Sequence, residues 1–309
     1  MSEFVEDYIR ADYTSISGPA LGVLRDEIHI AWTDPDGVVN IMPVNTSGGS
    51  MSFVTEWRAD RLGPSAACGP ALAQGDGIRD LAIAWAIDHP ELQSLIGVTV
   101  DSQLNIIKEL VSFAWTDYSP SMQRWIREVN LAWTGSNNRK LNVAPLVLDE
   151  SGWTFSPERT WTSDETETSG WEPSLGWRLV PNRLYIAWTD DDDNALNMMY
   201  CQGAGDWEDP PAYRAEFDRA TRHVFTSETS SAGPALLMGV SSATLAYRGN
   251  GNRNLNLLRT DLEDYSIISK RTSGHTTPYR PAIISHGDGN YIAYTGEDDH
   301  LYFCRVMRE

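Results

Sequence analysis

Six short apolar runs, each ending in an aromatic residue, recur along the chain. They read IHIAW, LAIAW, VNLAW, LYIAW, ATLAY and NYIAY, and end at Trp32, Trp85, Trp133, Trp188, Tyr247 and Tyr294. Residues of these types favour β-strands. The runs lack regular polar alternation, which is typical of strands buried on both faces. Each run is therefore predicted to be a buried strand, with its aromatic residue packing between neighbouring units.

A second signature precedes each run and consists of a proline, a small residue and a large apolar residue. The prolines are residues 19, 70, 120, 173, 234 and 281, at intervals of 47 to 61 residues. A turn rich in Gly, Asn and Asp follows each apolar run, as in a hairpin, and a third strand comes after it. A fourth strand is clearest at Met51–Trp57 and Trp153–Trp161. The chain is thus predicted to repeat one four-stranded unit six times.

The last unit ends after its third strand, Leu301–Met307, while the N-terminal SEFVEDYIRADY parallels the fourth strand that begins at Met51. We therefore expect the N-terminal strand to complete the last unit and close a ring. The predicted fold is all-β: a single six-bladed β-propeller over residues 1–309, with four-stranded antiparallel blades. The predicted blade units are about 12–62, 63–112, 113–165, 166–226, 227–273 and 274–309 plus the N-terminal strand 2–11.

The repeated phrase "PAL…LYIAWTG…LNV" resembles that of lectin-like and sialidase-like β-propellers, and the resemblance covers all six units. It implies the fold and a glycan-binding role. Sialidase catalysis is not implied, because the nearest Asp-box, VLDESGWTF at Val147–Phe155, has one extra residue and no spacing picks out an arginine triad.

Composition narrows the classes of partner. The chain has 24 Lys and Arg against 43 Asp and Glu, a net charge of -19, which disfavours nucleic acid and anionic membranes. No apolar stretch is long enough to span a membrane, and the acidic N-terminus does not look like a secretory signal. We therefore expect a soluble protein, with the cytoplasm as its predicted location and export left open. Three cysteines without CxxC spacing predict free thiols. The acidic hairpin at Asp190 and Asp192 is interpreted as solvated, and neither metal nor cofactor is predicted.

Departures from the repeat indicate a site. The first strand of each blade lines the channel of a propeller, so the residue before each proline should lie near the channel mouth. Three blades have glycine there, whereas the others have Ser119, Glu172 and Arg280, and an aromatic residue precedes each of these. The predicted ligand-binding residues of this funnel are Tyr118, Trp171, Glu172, Tyr279 and Arg280, with Asp117 nearby.

Aromatic faces combined with charged hydrogen-bonding groups suit a sugar or a flat polar molecule. The first hypothesis is lectin-like binding in one central funnel, since the loops do not repeat as six equal sites would require. The second is an enzyme of glycoside hydrolase or biosynthetic cyclase type, in which Glu172 and Asp117 are the candidate catalytic pair. The third is a protein-interaction scaffold without a small ligand.

Overall fold

The computed structural model describes residues 4–46, 50–54, 66–74, 80–87, 95–101, 103–111, 115–125, 128–149, 152–155, 157–202 and 215–306. These residues form six antiparallel sheets of a β-propeller, and each predicted apolar run is the second strand of its sheet. The six-bladed fold predicted from the repeat is confirmed.

Each blade runs from the axis outward in chain order. Blade one comprises β2 (Ala20–Leu24), β3 (Glu27–Thr33), β4 (Val39–Asn45) and β5 (Ser52–Phe53), and blade two comprises β6 (Ala71–Gln74), β7 (Leu81–Ala86), β8 (Leu95–Val100) and β9 (Ile106–Val111). Blade three comprises β10 (Ser121–Trp125), β11 (Glu128–Thr134), β12 (Leu141–Asp149) and β13 (Gly152–Phe155), with β14 (Trp161–Thr162) pairing beside β12.

Blades four and five follow the same order, whereas blade six takes its outermost strand from the N-terminal part of the chain. Blade four comprises β15 (Ser174–Arg178), β16 (Arg183–Thr189), β17 (Ala195–Gln202) and β18 (His223–Thr229), and blade five comprises β19 (Ala235–Met238), β20 (Ser242–Arg248), β21 (Asn254–Asp261) and β22 (Ile267–Thr276). Blade six comprises β23 (Ala282–His286), β24 (Gly289–Thr295), β25 (His300–Val306) and β1 (Val5–Thr14). Short 3-10 helices occur at Pro157–Arg159 and Arg219–Thr221.

The ring is closed by the strand from the other end of the chain, as the sequence predicts. Strand β1 pairs antiparallel with β25, placing Val5 opposite Val306 and Tyr8 opposite Cys304. The six first strands contact one another in sequence around the axis, and β2 also contacts β23. Closure of this kind leaves the inner edge of every sheet covered by its neighbours.

The hydrophobic core is divided among the six interfaces between blades. Each cluster of buried side chains draws on two neighbouring blades; one, for example, joins Trp133 of blade three to Ala84 of blade two. The repeated aromatic residues that end the apolar runs are all at most 5% exposed. Hydrogen bonds also link the first strands, since the Ser174 hydroxyl of blade four accepts from the backbone amide of Leu236 in blade five. No helix among the described residues is long and apolar enough to span a membrane.

Candidate functional site

The residues that precede the six prolines form a tight ring at one end of the axis. They are Gly18, Gly69, Ser119, Glu172, Gly233 and Arg280. A Cβ atom at Gly18 would overlap the carbonyl oxygen of Arg280, and one at Gly233 would overlap that of Glu172. Neighbouring blades therefore meet backbone to backbone at this ring, and glycine is required at these two positions because a side chain has no space there.

A repeated hydroxyl network holds the segment that leads into the ring. The side chain of Thr116 bonds both the amide and the carbonyl of Tyr118, and Ser169 does the same at Trp171. A second hydroxyl, from the preceding blade, reaches the same carbonyl, as when Thr134 donates to Trp171 O over 2.6 Å. These hydrogen bonds fix the backbone of Tyr118 and Trp171, two of the predicted ligand-binding residues that form the rim of the funnel. They therefore also fix the direction in which these two side chains point.

The threonines of this network hold the backbone beside the ring, and the sequence analysis did not single them out. They follow the apolar run directly, in the form AWT or AYT, at Thr33, Thr134, Thr189 and Thr295. Each is fully buried, and each donates to the backbone carbonyl of the residue two positions before the proline of the next blade. The recurrence of a threonine at this one position was the signal that was available in the sequence.

Arg280 extends from blade six across the axis. Its Nη1 donates to the carbonyl of Pro173 at 2.9 Å and its Nη2 to that of Pro120 at 3.4 Å, and the residue is only 8% exposed. Burial lowers the pKa of the guanidinium, while the negative charge of Glu172 opposes that shift. The two side chains, both of which the structure describes, do not form a direct ion pair. Arg280 therefore closes this end of the channel, with two donors committed to backbone carbonyls.

Around the ring lie the predicted rim residues. Tyr118, Trp171, Glu172 and Tyr279 are half-buried, and Asp117 is exposed. Burial raises the pKa of Tyr118; a cation at Arg139 opposes the shift, while the carboxylates of Asp117 and Glu172 are among those that add to it. Tyr118 and Asp117 of blade three thus lie close enough to Glu172 of blade four for their charges to interact.

Tyr279 occupies a different part of the rim. It belongs to blade six, on the other side of the axis from Tyr118 in blade three. Burial raises its pKa, and the nearby carboxylates of Asp299 and Glu297 add to that shift. The aromatic rim therefore has two sectors: one on blades three and four, and one on blade six.

The channel beneath the ring is a cavity of about 350 Å³. The first strands of the blades line it, mostly with alanine, leucine, isoleucine and methionine side chains. It runs from Arg280 at the closed end to Gln123, Arg124 and Trp177 at the ends of β10 and β15. The Arg280 guanidinium thus separates the apolar channel from the charged and aromatic side chains of the rim.

The acidic hairpins have partners within the protein. One oxygen of Asp190 accepts the backbone amide of Asp192, and the other pairs with Arg222 at 3.2 Å. In the corresponding hairpin of blade one, Asp34 accepts the amides of Asp36 and Val38. Across the part of the chain that the structure describes, no three His, Cys, Asp or Glu side chains are grouped so as to hold a metal ion.

Solved structures of other proteins share this fold. No protein-family model matches the sequence, and no curated protein matches it either. Among solved structures, AofleA from Arthrobotrys oligospora superposes with a TM-score of 0.65 at 9% identity, covering 99% of this chain and 87% of that one. The SapL1 lectin, solved in complex with alpha methyl fucoside, superposes at 0.60 with 11% identity, covering 91% and 89%.

A third neighbour carries a different kind of description. A protein of Thermus thermophilus, described as an oxidoreductase (glucose dehydrogenase), superposes with a TM-score of 0.58 at 12% identity, covering 97% of this chain and 99% of that one. Likeness at these identities establishes the six-bladed propeller fold and leaves the activity to be argued from the site.

Proposed function

We propose that this protein is a lectin-like binding protein that holds a carbohydrate on the rim of its propeller funnel. The observation that carries the proposal is the sector formed by Tyr118, Asp117 and Glu172, with Trp171 directly before Glu172 in the chain. The faces of Tyr and Trp rings pack against the C–H face of a sugar. Ionised carboxylates accept hydrogen bonds from sugar hydroxyl groups.

The ring favours a single site. Three of its six positions are glycine, so the blades do not offer equivalent side chains to six ligands. Arg280 supports the site from below, because its charge lies near Glu172 while its own donors bind Pro173 and Pro120. Tyr279 contributes from the opposite sector to a ligand large enough to cross the ring. SapL1, a lectin of the same fold, supports the class of ligand.

The test is a glycan-array screen of the purified protein beside three variants. Trp171→Ala removes the aromatic face and Glu172→Gln removes the charge, and both are expected to lose the signal for a sugar that the unmodified protein binds. Tyr8→Ala is the matched control, because Tyr8 is an aromatic residue that is 56% exposed on the outermost strand of blade six. Each variant is first checked for native circular dichroism and a normal unfolding midpoint.

Absence of any glycan signal from the folded, unmodified protein would contradict the lectin-like function. A signal that both rim variants keep and Tyr8→Ala loses would move the site to the outer edge of blade six. Turnover of the bound sugar, abolished by Asp117→Asn and Glu172→Gln, would instead support the glycoside hydrolase alternative.

A further inference from the structure

A second cleft lies between blades four and five, at the end of β15 opposite to Glu172. Its volume is about 550 Å³, within the range of small-ligand sites. Its walls come from the β15–β16 turn, the end of β17, the segment before β18 and the β21–β22 turn. The side chains that matter for its chemistry are Arg178, Arg183, Tyr200, Tyr265 and Glu263.

Ion pairing separates the two arginines from several others in this acidic chain. Arg139 pairs with Asp191, and Arg253 pairs with Glu297. Arg178 and Arg183 form no ion pair with any residue that the structure describes, and the Nε atom of each is buried without a hydrogen-bond partner. The two guanidinium charges therefore line one cleft without a carboxylate paired to either. An anion that accepts hydrogen bonds from the Nη groups of both would neutralise them.

The arginines are held in place by their surroundings. The turn between them is anchored at Asn182, whose side-chain oxygen accepts from the indole nitrogens of Trp125 at 2.9 Å and Trp177 at 3.0 Å. The guanidinium carbon of Arg183 lies 4.0 Å from the ring centre of Tyr200, a cation–π contact. A group fixed before binding loses less conformational entropy when the ligand arrives.

Tyrosines form the opposite part of the cleft. Burial raises the pKa of Tyr265; the nearby hydroxyls of Tyr185 and Tyr200 add to the shift, and Arg183 opposes it. The Tyr265 ring stacks on His223, with centres 4.9 Å apart. The Tyr185 hydroxyl is fully buried behind Tyr200 and has no hydrogen-bond partner in the described structure. Phenol hydroxyls and aromatic rings thus adjoin the two guanidinium groups.

We propose that this cleft is a binding site for an acidic monosaccharide, a sugar ring that carries a carboxylate. The planar forks of Arg178 and Arg183 match a carboxylate in bidentate geometry. The rings of Tyr200, which Arg183 covers on one face, and of Tyr265, which stacks on His223, bound the cleft beside the sugar. Their hydroxyl oxygens can accept hydrogen bonds from its hydroxyl groups. The site is separate from the rim of the funnel, because the two lie at opposite ends of β15, and it does not depend on the rim binding a sugar.

Glu263 provides a test of whether the ligand of this cleft is negatively charged. Its exposed carboxylate lies at the margin of the cleft, where it repels an anion. The net charge of -19 repels anions as well, so binding depends on the local pair of arginines. Removing the charge of Glu263 should therefore strengthen binding, whereas removing that of either arginine should weaken it.

The experiment is a titration of the full chain with methyl β-D-glucuronide, followed by calorimetry or ligand-observed NMR in low-salt buffer without phosphate. The neutral methyl β-D-glucoside is the matched ligand. We expect saturable binding of the glucuronide that weakens as NaCl is added, and at least about tenfold weaker binding of the glucoside. Arg183→Gln and Arg178→Gln should each weaken glucuronide binding by about tenfold or more, and Glu263→Gln should strengthen it by about two- to threefold.

One control variant isolates the site. Arg10→Gln removes an exposed guanidinium that pairs with Asp298 on blade six, and it should bind the glucuronide as the unmodified protein does. Because Arg183 also packs on Tyr200, native circular dichroism is required of every variant, and Arg178→Gln provides a second test that leaves that contact intact.

Lack of saturable glucuronide binding would overturn the proposal. So would equal affinity for the glucoside, or undiminished binding in both folded arginine variants. Each of these outcomes is distinguishable from failure of the rim site, which is measured with Trp171→Ala and Glu172→Gln on neutral glycans.

Discussion

Replacing Arg280 by methionine tests whether this side chain ties three blades together across the axis. The variant keeps an apolar stem in the channel but loses the hydrogen bonds to Pro173 and Pro120. A hydrogen bond from a charged donor contributes about 1.5–3 kcal/mol, so the 2.9 Å bond is worth about 2 kcal/mol and the longer one about 1 kcal/mol. Two buried carbonyls are left without these donors, and Glu172 loses a nearby cation.

The expected loss is therefore about 3 kcal/mol, which for a chain of this size lowers the melting temperature by roughly 5 °C. The assay is urea unfolding followed by tryptophan fluorescence, with calorimetry alongside. Arg10→Met, at an exposed ion pair with Asp298, is the control and should leave the midpoint unchanged. If Arg280→Met were as stable as the unmodified protein, the removal of a buried cation would have offset its hydrogen bonds, and the idea that Arg280 clamps the ring would be wrong.

Three further predictions concern the ring, the threonine network and the thiols. Gly233→Ala should lower the free energy of unfolding by ~3 kcal/mol or more, because its Cβ would overlap the Glu172 carbonyl. Gly274→Ala is the control: no atom lies within 4 Å of the added carbon, so its stability in urea unfolding should stay within about 0.5 kcal/mol of the unmodified protein. Thr189→Val removes a buried hydrogen bond between blades four and five and should cost about 1 kcal/mol in the same assay; an unchanged midpoint would contradict it. Burial raises the pKa of the cysteine thiols, to about 11 for Cys68. Ellman's reagent at about pH 8 should therefore label the native protein slowly and all three thiols rapidly in denaturant. Fast labelling of the native protein would refute this prediction.

The ring of six blades was predictable because every unit repeats the same local physics. The runs that end at Trp32 and Trp188, for example, have strand-forming residues at corresponding positions and are buried in the same way. The parallel between the N-terminal segment and Met51–Trp57 predicted the pairing of β1 with β25, because a missing fourth strand leaves an open edge. The hydroxyl network was also present in the sequence, as the threonine after each of four apolar runs.

The position of the rim was predictable from the sequence, but the direction of its side chains was not. The residue before each proline must lie near the axis in any propeller of this topology, which singles out Glu172 and Arg280. Whether Arg280 faces a ligand or spans the channel depends on carbonyl groups of blades three and four, more than 100 residues away in the chain. A long flexible side chain takes the rotamer that its three-dimensional neighbours allow, and a linear sequence does not contain those neighbours.

The cleft between blades four and five depended entirely on the tertiary structure. Arg178 and Arg183 bracket one hairpin turn, and in the sequence they look like two ordinary surface cations. Tyr265 belongs to another blade and reaches them only because closure of the ring sets the two blades side by side. Local strand propensity and the repeat therefore determined the architecture of this protein, whereas the contacts between blades decided which side chains share a site, because such contacts join residues that are distant in the chain.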